Sequence, residues 1–204
     1  MSESATMPTL RTYDFAAHLE RQRAFSEETF GPGARTRGLV DHIRKEIIEV
    51  ADAPDDLVEW IDLALLFLDG AWRAGLSAAE VLLLLGAGGM AASRDLVTYL
   101  TVAGVDAAEL EEPGARRRLE EIAQRLEAAA AGDRPAWVSG ARHALCGALA
   151  AGHKPGAVAG ALNWKLARNE ARDWPDWREA DPDRAIEHLR ERRGPAAGRG
   201  SAPA

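Results

Sequence analysis

Four carboxylates in two matched pairs, Glu46 with Glu49 and Glu59 with Asp62, are the residues of this chain best suited to chemistry. The members of each pair stand three apart, so on a helix they share one face. Two acids about 5 Å apart repel by roughly 3 kcal/mol at an effective dielectric near 20. Four that converge therefore need cations close by or stay protonated. A hard divalent ion with all-oxygen ligands meets that need, and Mg2+ suits such a set. The alternative for the first pair is a solvated helix face, with Glu46 and Glu49 paired to Arg44 or Lys45. For the second pair that alternative is weaker, because residues 57–68 are apolar everywhere except Glu59 and Asp62. A helix apolar nearly all round is buried, and buried acids are paired or bind metal.

Two helices must carry these acids. Apolar residues recur at helical spacing from Arg37 to Val50. Pro54 ends that pattern, since proline cannot continue a helix and restrains the residue before it. Asp55 or Asp56 then caps the second helix. Upstream, Asp14 can cap a helix bearing Phe15, Leu19 and Gln22, and Gly31-Pro32-Gly33 is a turn. Arg35 and Arg37, just ahead of the first acidic helix, either reach a phosphate or are solvated. Downstream, Ser77 can cap a helix through Leu85 that ends at Gly86-Ala87-Gly88-Gly89. Leu96 to Ala103 reads as a short helix and Arg116 to Ala131 as a clear one.

A second polar group lies near the end of the chain. Residues 158–173 read as a helix stopped by Pro175, with Lys165, Asn169 and Arg172 on one stripe. A cationic stripe facing an acidic site is what a metal-bridged triphosphate requires. The alternative is surface ion pairing with Glu170 or Asp173. Trp174-Pro175-Asp176-Trp177 is a rigid aromatic corner that either stacks on a base or plugs the end of a helical core. His42 is the only histidine near the acids, and no His-x-x-x-His zinc spacing occurs.

The pattern Glu46-x-x-Glu49 followed by Glu59-x-x-Asp62 resembles the MazG-like all-α nucleotide pyrophosphohydrolases. Phe25 to Gly38 and Lys165 to Arg178 are similar to the opening and close of one branch, the dATP/dGTP diphosphohydrolases of the MazZ type. The resemblance implies an all-α helical bundle and cleavage of dATP or dGTP to monophosphate and pyrophosphate. It implies Mg2+, with Mn2+ able to substitute, on Glu46, Glu49, Glu59 and Asp62. Glu49 or Glu46 would take the proton of the attacking water, with Glu49 favoured, and Lys165, Asn169 and Arg172 would orient the phosphates. Asp69 either orients one of these cations or forms a structural ion pair. In this branch the activity is associated with phages that replace adenine by 2-aminoadenine; trimming of nucleotide pools is a separate use. The wider superfamily often has another acid where Lys45 stands.

Relatives are expected to pass from Gly70–Gly75 through one helix into the Lys-Asn-Arg segment. Here residues 86–145 intervene, which suggests a core of 13–85 and 146–190 with a helical insertion. An internal echo complicates that division. Residues 60–85 aligned on 137–162 are identical at nine of 26 positions, Trp60 falling on Trp137 and Gly70-Ala71 on Gly147-Ala148. Ala136, Ser139 and Cys146 then stand where Glu59, Asp62 and Asp69 stand, which predicts one metal site per chain.

Composition sets the outer bounds. A formal net charge of −7 argues against a nucleic-acid polymer as partner, and 47% hydrophobic residues suffice for a core. The lone Cys146 suits a reducing cytoplasm, and no apolar run is long enough to span a bilayer. Residues 1–12 are expected to be mobile and 194–204 disordered. Short helical pairs rarely bury their faces alone, so a homo-oligomer, dimer or tetramer, is expected. The rival functions are a pyrimidine nucleoside triphosphate pyrophosphohydrolase and a non-catalytic helical interaction protein. The complete acidic set speaks against the second.

Overall fold

In the computed structural model the described residues are 7–86, 95–109 and 115–188, with backbone alone described for 104–109. They form eight helices: α1 (Phe15–Phe30), α2 (Thr36–Asp52), α3 (Leu57–Arg73), α4 (Ala78–Leu85), α5 (Leu96–Glu109), α6 (Ala115–Ala130), α7 (Arg134–Ala150) and α8 (Pro155–Glu170). The fold is all-α, as the sequence predicts. The tail 194–204, residues 1–6 and the break at Ala87-Gly88-Gly89 lie outside the described residues.

The caps follow local chemistry. Asp14 accepts from the Ala17 amide at 3.0 Å and Asp56 from the Val58 amide at 2.8 Å, each quenching a donor the first turn leaves unpaired. Ser77 and Glu80 form a reciprocal capping box on α4. α8 starts at Pro155, three residues before the expected Val158, because proline at the first helical position forfeits only an amide that would be unpaired anyway.

α3 is the central rod. Trp60, Ile61, Leu63, Ala64, Phe67 and Ala71 are each at most 1% exposed. It packs along α7, and its remaining sides meet α2, α8 and α1. The α3–α7 contact is close because two helical glycines leave room for rings. A Cβ at Gly70 would lie 2.2 Å from the Trp137 ring, and one at Gly147 would lie 2.2 Å from the Trp60 ring. Residues 7–12 run beside the start of α8, Leu10 N donating to Gly156 O at 3.0 Å.

Two connections shape the ground around the acids. Arg35 precedes α2 with φ 45°, a left-handed conformation that costs a non-glycine residue about 1–2 kcal/mol. Its Nη1 donates to Phe30 O at 2.8 Å, and the turn before it is held by Arg73, whose guanidinium places all five N–H donors. Nε donates to Asp69 Oδ2, Nη1 to the carbonyls of Gly31 and Gly33, and Nη2 to Ser26 O and Oγ. After α8, an irregular strap (residues 176–188) returns across the start of α2. Its backbone sits against Gly38, where a Cβ would lie 2.8 Å from Arg184 O and 2.9 Å from Pro182 O.

Candidate active site

α2 and α3 bring three of the four predicted acids together. Glu46, Glu49 and Glu59 each present a carboxylate oxygen within 4.8 Å of the other two. The fourth, Asp62, lines the same cavity with its Oδ2 accepting from Lys165 Nζ across the α3–α8 contact. The cavity has a volume of about 450 Å3. That is within the range of small-molecule and cofactor sites.

The cluster is electrostatically unsettled by itself. Glu59 is pushed up to about 7, first by burial and then by the charges of Asp62, Glu49 and Glu46. Burial pushes Asp62 up to about 6 even though Lys165 pulls the other way. Glu46 is 8% exposed; its Oε1 lies 3.1 Å from His42 Nε2, and its buried Oε2 meets no protein donor. An acceptor buried without a partner costs about 1–3 kcal/mol or more when charged. A divalent cation held by carboxylates supplies the missing charge and the missing partner, so this donor set fits one.

The alternative pairing of the acids with Arg44 and Lys45 is not what the structure holds. Arg44 reaches Glu127 on α6 at 2.8 Å, while Lys45 reaches Glu187 at 2.9 Å and Asp41 at 3.8 Å. Lys45 is thus a cation engaged with the strap. Of the two arginines ahead of α2, Arg35 lines the cavity, whereas Arg37 pairs with Asp183 at 3.0 Å with its side chain 81% exposed.

Lys165, Asn169 and Arg172 all line the cavity. Arg172 lies two residues past the end of α8, and its Nη1 donates to Asn169 Oδ1 at 3.0 Å. Trp174 Nε1 donates to Asn169 O at 2.8 Å, and its ring meets Phe30 edge-on at 4.8 Å. It therefore plugs the end of α8, as one of the two sequence readings had it, and with Phe25 and Phe30 it also forms an aromatic wall of the cavity. Asp69 is a structural partner: its carboxylate takes Arg73, Trp72 Nε1 and Ser26 Oγ.

Sequence reasoning passed over Arg73 and the strap. Arg73 had a signal, a cation four residues beyond a buried acid at the end of an apolar helix. The strap residues Arg184, Ala185, Ile186, Glu187 and His188 line the cavity but are aperiodic, so no spacing announced them.

Among the described residues, an all-helical bundle gathers three carboxylates, with Asp62 and Lys165 on the same cavity, into a set suited to a divalent cation and a phosphate-bearing ligand. The sequence model of the dATP/dGTP pyrophosphohydrolase family matches residues 18–86 and 108–192. The chain belongs to that family and is a nucleotide pyrophosphohydrolase. No curated protein and no solved structure matches it. Among the described residues, no helix is long and apolar enough to cross a membrane.

Proposed function

We propose that this enzyme hydrolyses purine deoxynucleoside triphosphates, dATP and dGTP, between the α and β phosphates, releasing monophosphate and pyrophosphate. The observation that carries the reading is the meeting of Glu46, Glu49 and Glu59 within 4.8 Å, in one cavity with Lys165 and the family's remaining signature residues. Mg2+, or Mn2+ in its place, would be held by Glu46, Glu49 and Glu59 with Asp62. When bound, the ion lowers the pKa of a water and offsets charge on the phosphates.

The chain's own groups divide the remaining work. Glu46 is tied to His42 and Glu59 is raised toward neutrality, which leaves the exposed Glu49 to take the proton of the attacking water. Lys165, Asn169 and Arg172 orient the phosphate chain, with Arg35 on the same cavity wall. Phe25, Phe30 and Trp174 offer aromatic surface to a purine. Water supplies oxygen to one phosphorus, the Pα–O–Pβ bridge breaks, and pyrophosphate departs.

Such a reaction belongs in the cytoplasm, where nucleoside triphosphates and Mg2+ meet. Supply of monophosphate to phages that use 2-aminoadenine and trimming of host pools are two uses of the same chemistry. Pyrophosphate release across the eight common nucleoside triphosphates, with Mg2+ and with chelator, tests the reading. Preference for a pyrimidine would move the substrate class, and orthophosphate release would overturn the bond assignment.

A further inference from the structure

The described helices of the second half follow those of the first in order, and α3 and α4 recur in register as α7 and α8. α3 and α7 are both 17 residues long and begin at Leu57 and Arg134; α4 and α8 begin at Ala78 and Pro155. Both offsets are 77, the offset of the sequence echo. The two long helices also end alike. Ala74, Gly75 and Leu76 amides donate to the carbonyls of Gly70, Trp72 and Ala71 at 2.9, 2.8 and 3.1 Å. Ala151, Gly152 and His153 donate to Gly147, Leu149 and Ala148 at 2.9, 2.9 and 3.1 Å. Gly75 has φ 85° and Gly152 has φ 91°.

The packing between the halves is reciprocal. Trp60 covers Gly147, and Trp137, its counterpart, covers Gly70. A contact from i to j answered by one from j's equivalent to i's equivalent is the mark of an isologous two-fold interface. At the starts of α1 and α5, Asp14 and Asp95 form an antiparallel bridge in which Leu96 N donates to Tyr13 O at 2.9 Å.

The chemistry is not repeated. At offset 77, Glu46, Glu49, Glu59 and Asp62 fall on Ala123, Leu126, Ala136 and Ser139. Leu126 is 1% exposed and Ala136 3%, so apolar core stands in place of acids. In the sequence of the first half, the registers of Lys165 and Asn169 fall on Gly88 and Ala92, so neither polar group has a counterpart there. The surviving site, by contrast, draws on both halves. Its acids come from α2 and α3, and Lys165 and Asn169 come from α8.

We propose that α5–α8 is a second copy of the α1–α4 unit that has lost its own metal and substrate groups and is kept as the other half of a single composite site. A two-fold pair of such units is then complete within one chain: each chain holds one nucleotide and needs no second chain to do so. What the site binds rests on the function proposed above; the number of sites and the independence from a partner chain do not.

Native mass spectrometry of the full chain, with Mg2+ and the non-hydrolysable α,β-methylene analogue of dATP, gives the count directly. The expected species is a single chain carrying one nucleotide, with loading on single chains unchanged when the protein is diluted from micromolar to low nanomolar. Two nucleotides per chain, or loading confined to dimers and larger species, overturns the proposal. Electron paramagnetic titration with Mn2+ alone separates this from failure of the substrate assignment. One tight locus per chain, lost in Glu59→Gln, upholds the composite site even where the nucleotide does not bind; a second locus that survives Glu59→Gln, or none, refutes it. Ser139→Ala, at the counterpart of Asp62, is expected to leave turnover unchanged, and a loss of tenfold or more would show a working second site.

Discussion

Lys165 on α8 donates to the Asp62 carboxylate on α3, and through that contact the two halves of the chain meet inside the acid-lined cavity. The pair is nearly closed to solvent, with side-chain exposures of 11% and 18%. A lysine placed there favours the charged form of an acid that burial otherwise drives toward protonation. In the proposed function it also meets a phosphate.

Lys165→Met should therefore cost turnover far more than fold. Removing one preorganised charge of this kind lowers rates by about 10²–10³-fold. Steady-state pyrophosphate release measures the loss, and circular dichroism checks that the helices remain. Rates within a few-fold of wild type would take Lys165 out of the reaction.

Glu59→Gln should abolish turnover and, in the metal-free protein, alter stability in a pH-dependent way. The folded carboxyl sits at about 7 against an ordinary 4.5, so the folded state binds more protons over that window. Stability from this group is thus fully present below pH 4.5 and is lost as pH rises toward 7. Glutamine carries no such charge. The variant should match wild type in Tm near pH 4.5 with chelator present and exceed it at pH 8, and the comparison cancels groups common to both. A variant less stable than wild type at pH 8 would contradict the charge crowding.

Arg73→Ala tests the buried clamp behind the site. It leaves the Asp69 charge without its cation, and the Gly31, Gly33 and Ser26 carbonyls lose their donor. Breaking a buried pair from one side costs about 3–5 kcal/mol. Urea unfolding should show that loss, and Arg73→Lys, with three donors for five acceptors, should recover only part of it.

Gly38→Ala tests the strap. Alanine favours a helix over glycine by about 1 kcal/mol, which offsets much of the strain of pushing back the Pro182 and Arg184 carbonyls. The unfolding midpoint should move little. The displaced cavity wall should raise KM, about fivefold for a cost near 1 kcal/mol, with kcat held closer to wild type. An unchanged KM would mean that the strap has no part in binding.

The site was legible in the sequence to the extent that it was periodic. Glu46, Glu49, Glu59 and Asp62 stand out because polar residues inside apolar helical patterns must be explained, and Lys165 because it shares a helical stripe with Asn169. The pairing of Asp62 with Lys165 was not legible, since spacing sets a face and not a rotamer. Arg172 reads as part of a stripe, yet α8 ends at Glu170 and leaves it in the following turn. The reciprocal seating of Trp60 and Trp137 had a trace in the nine identities, but it takes the packed helices to turn an echo into a contact. The strap left no trace, because its place is fixed by scattered contacts such as Ala185 N to Asp41 Oδ2 at 3.1 Å.

The most direct measurement is pyrophosphate release from dATP and dGTP by the wild-type chain, beside Glu59→Gln, with Mg2+ and with chelator. The acids of α2 and α3 predict equimolar monophosphate and pyrophosphate from wild type with Mg2+ and none in the other three conditions. Release that persists in Glu59→Gln or in chelator, or wild-type protein with Mg2+ that leaves every nucleoside triphosphate intact, would contradict it.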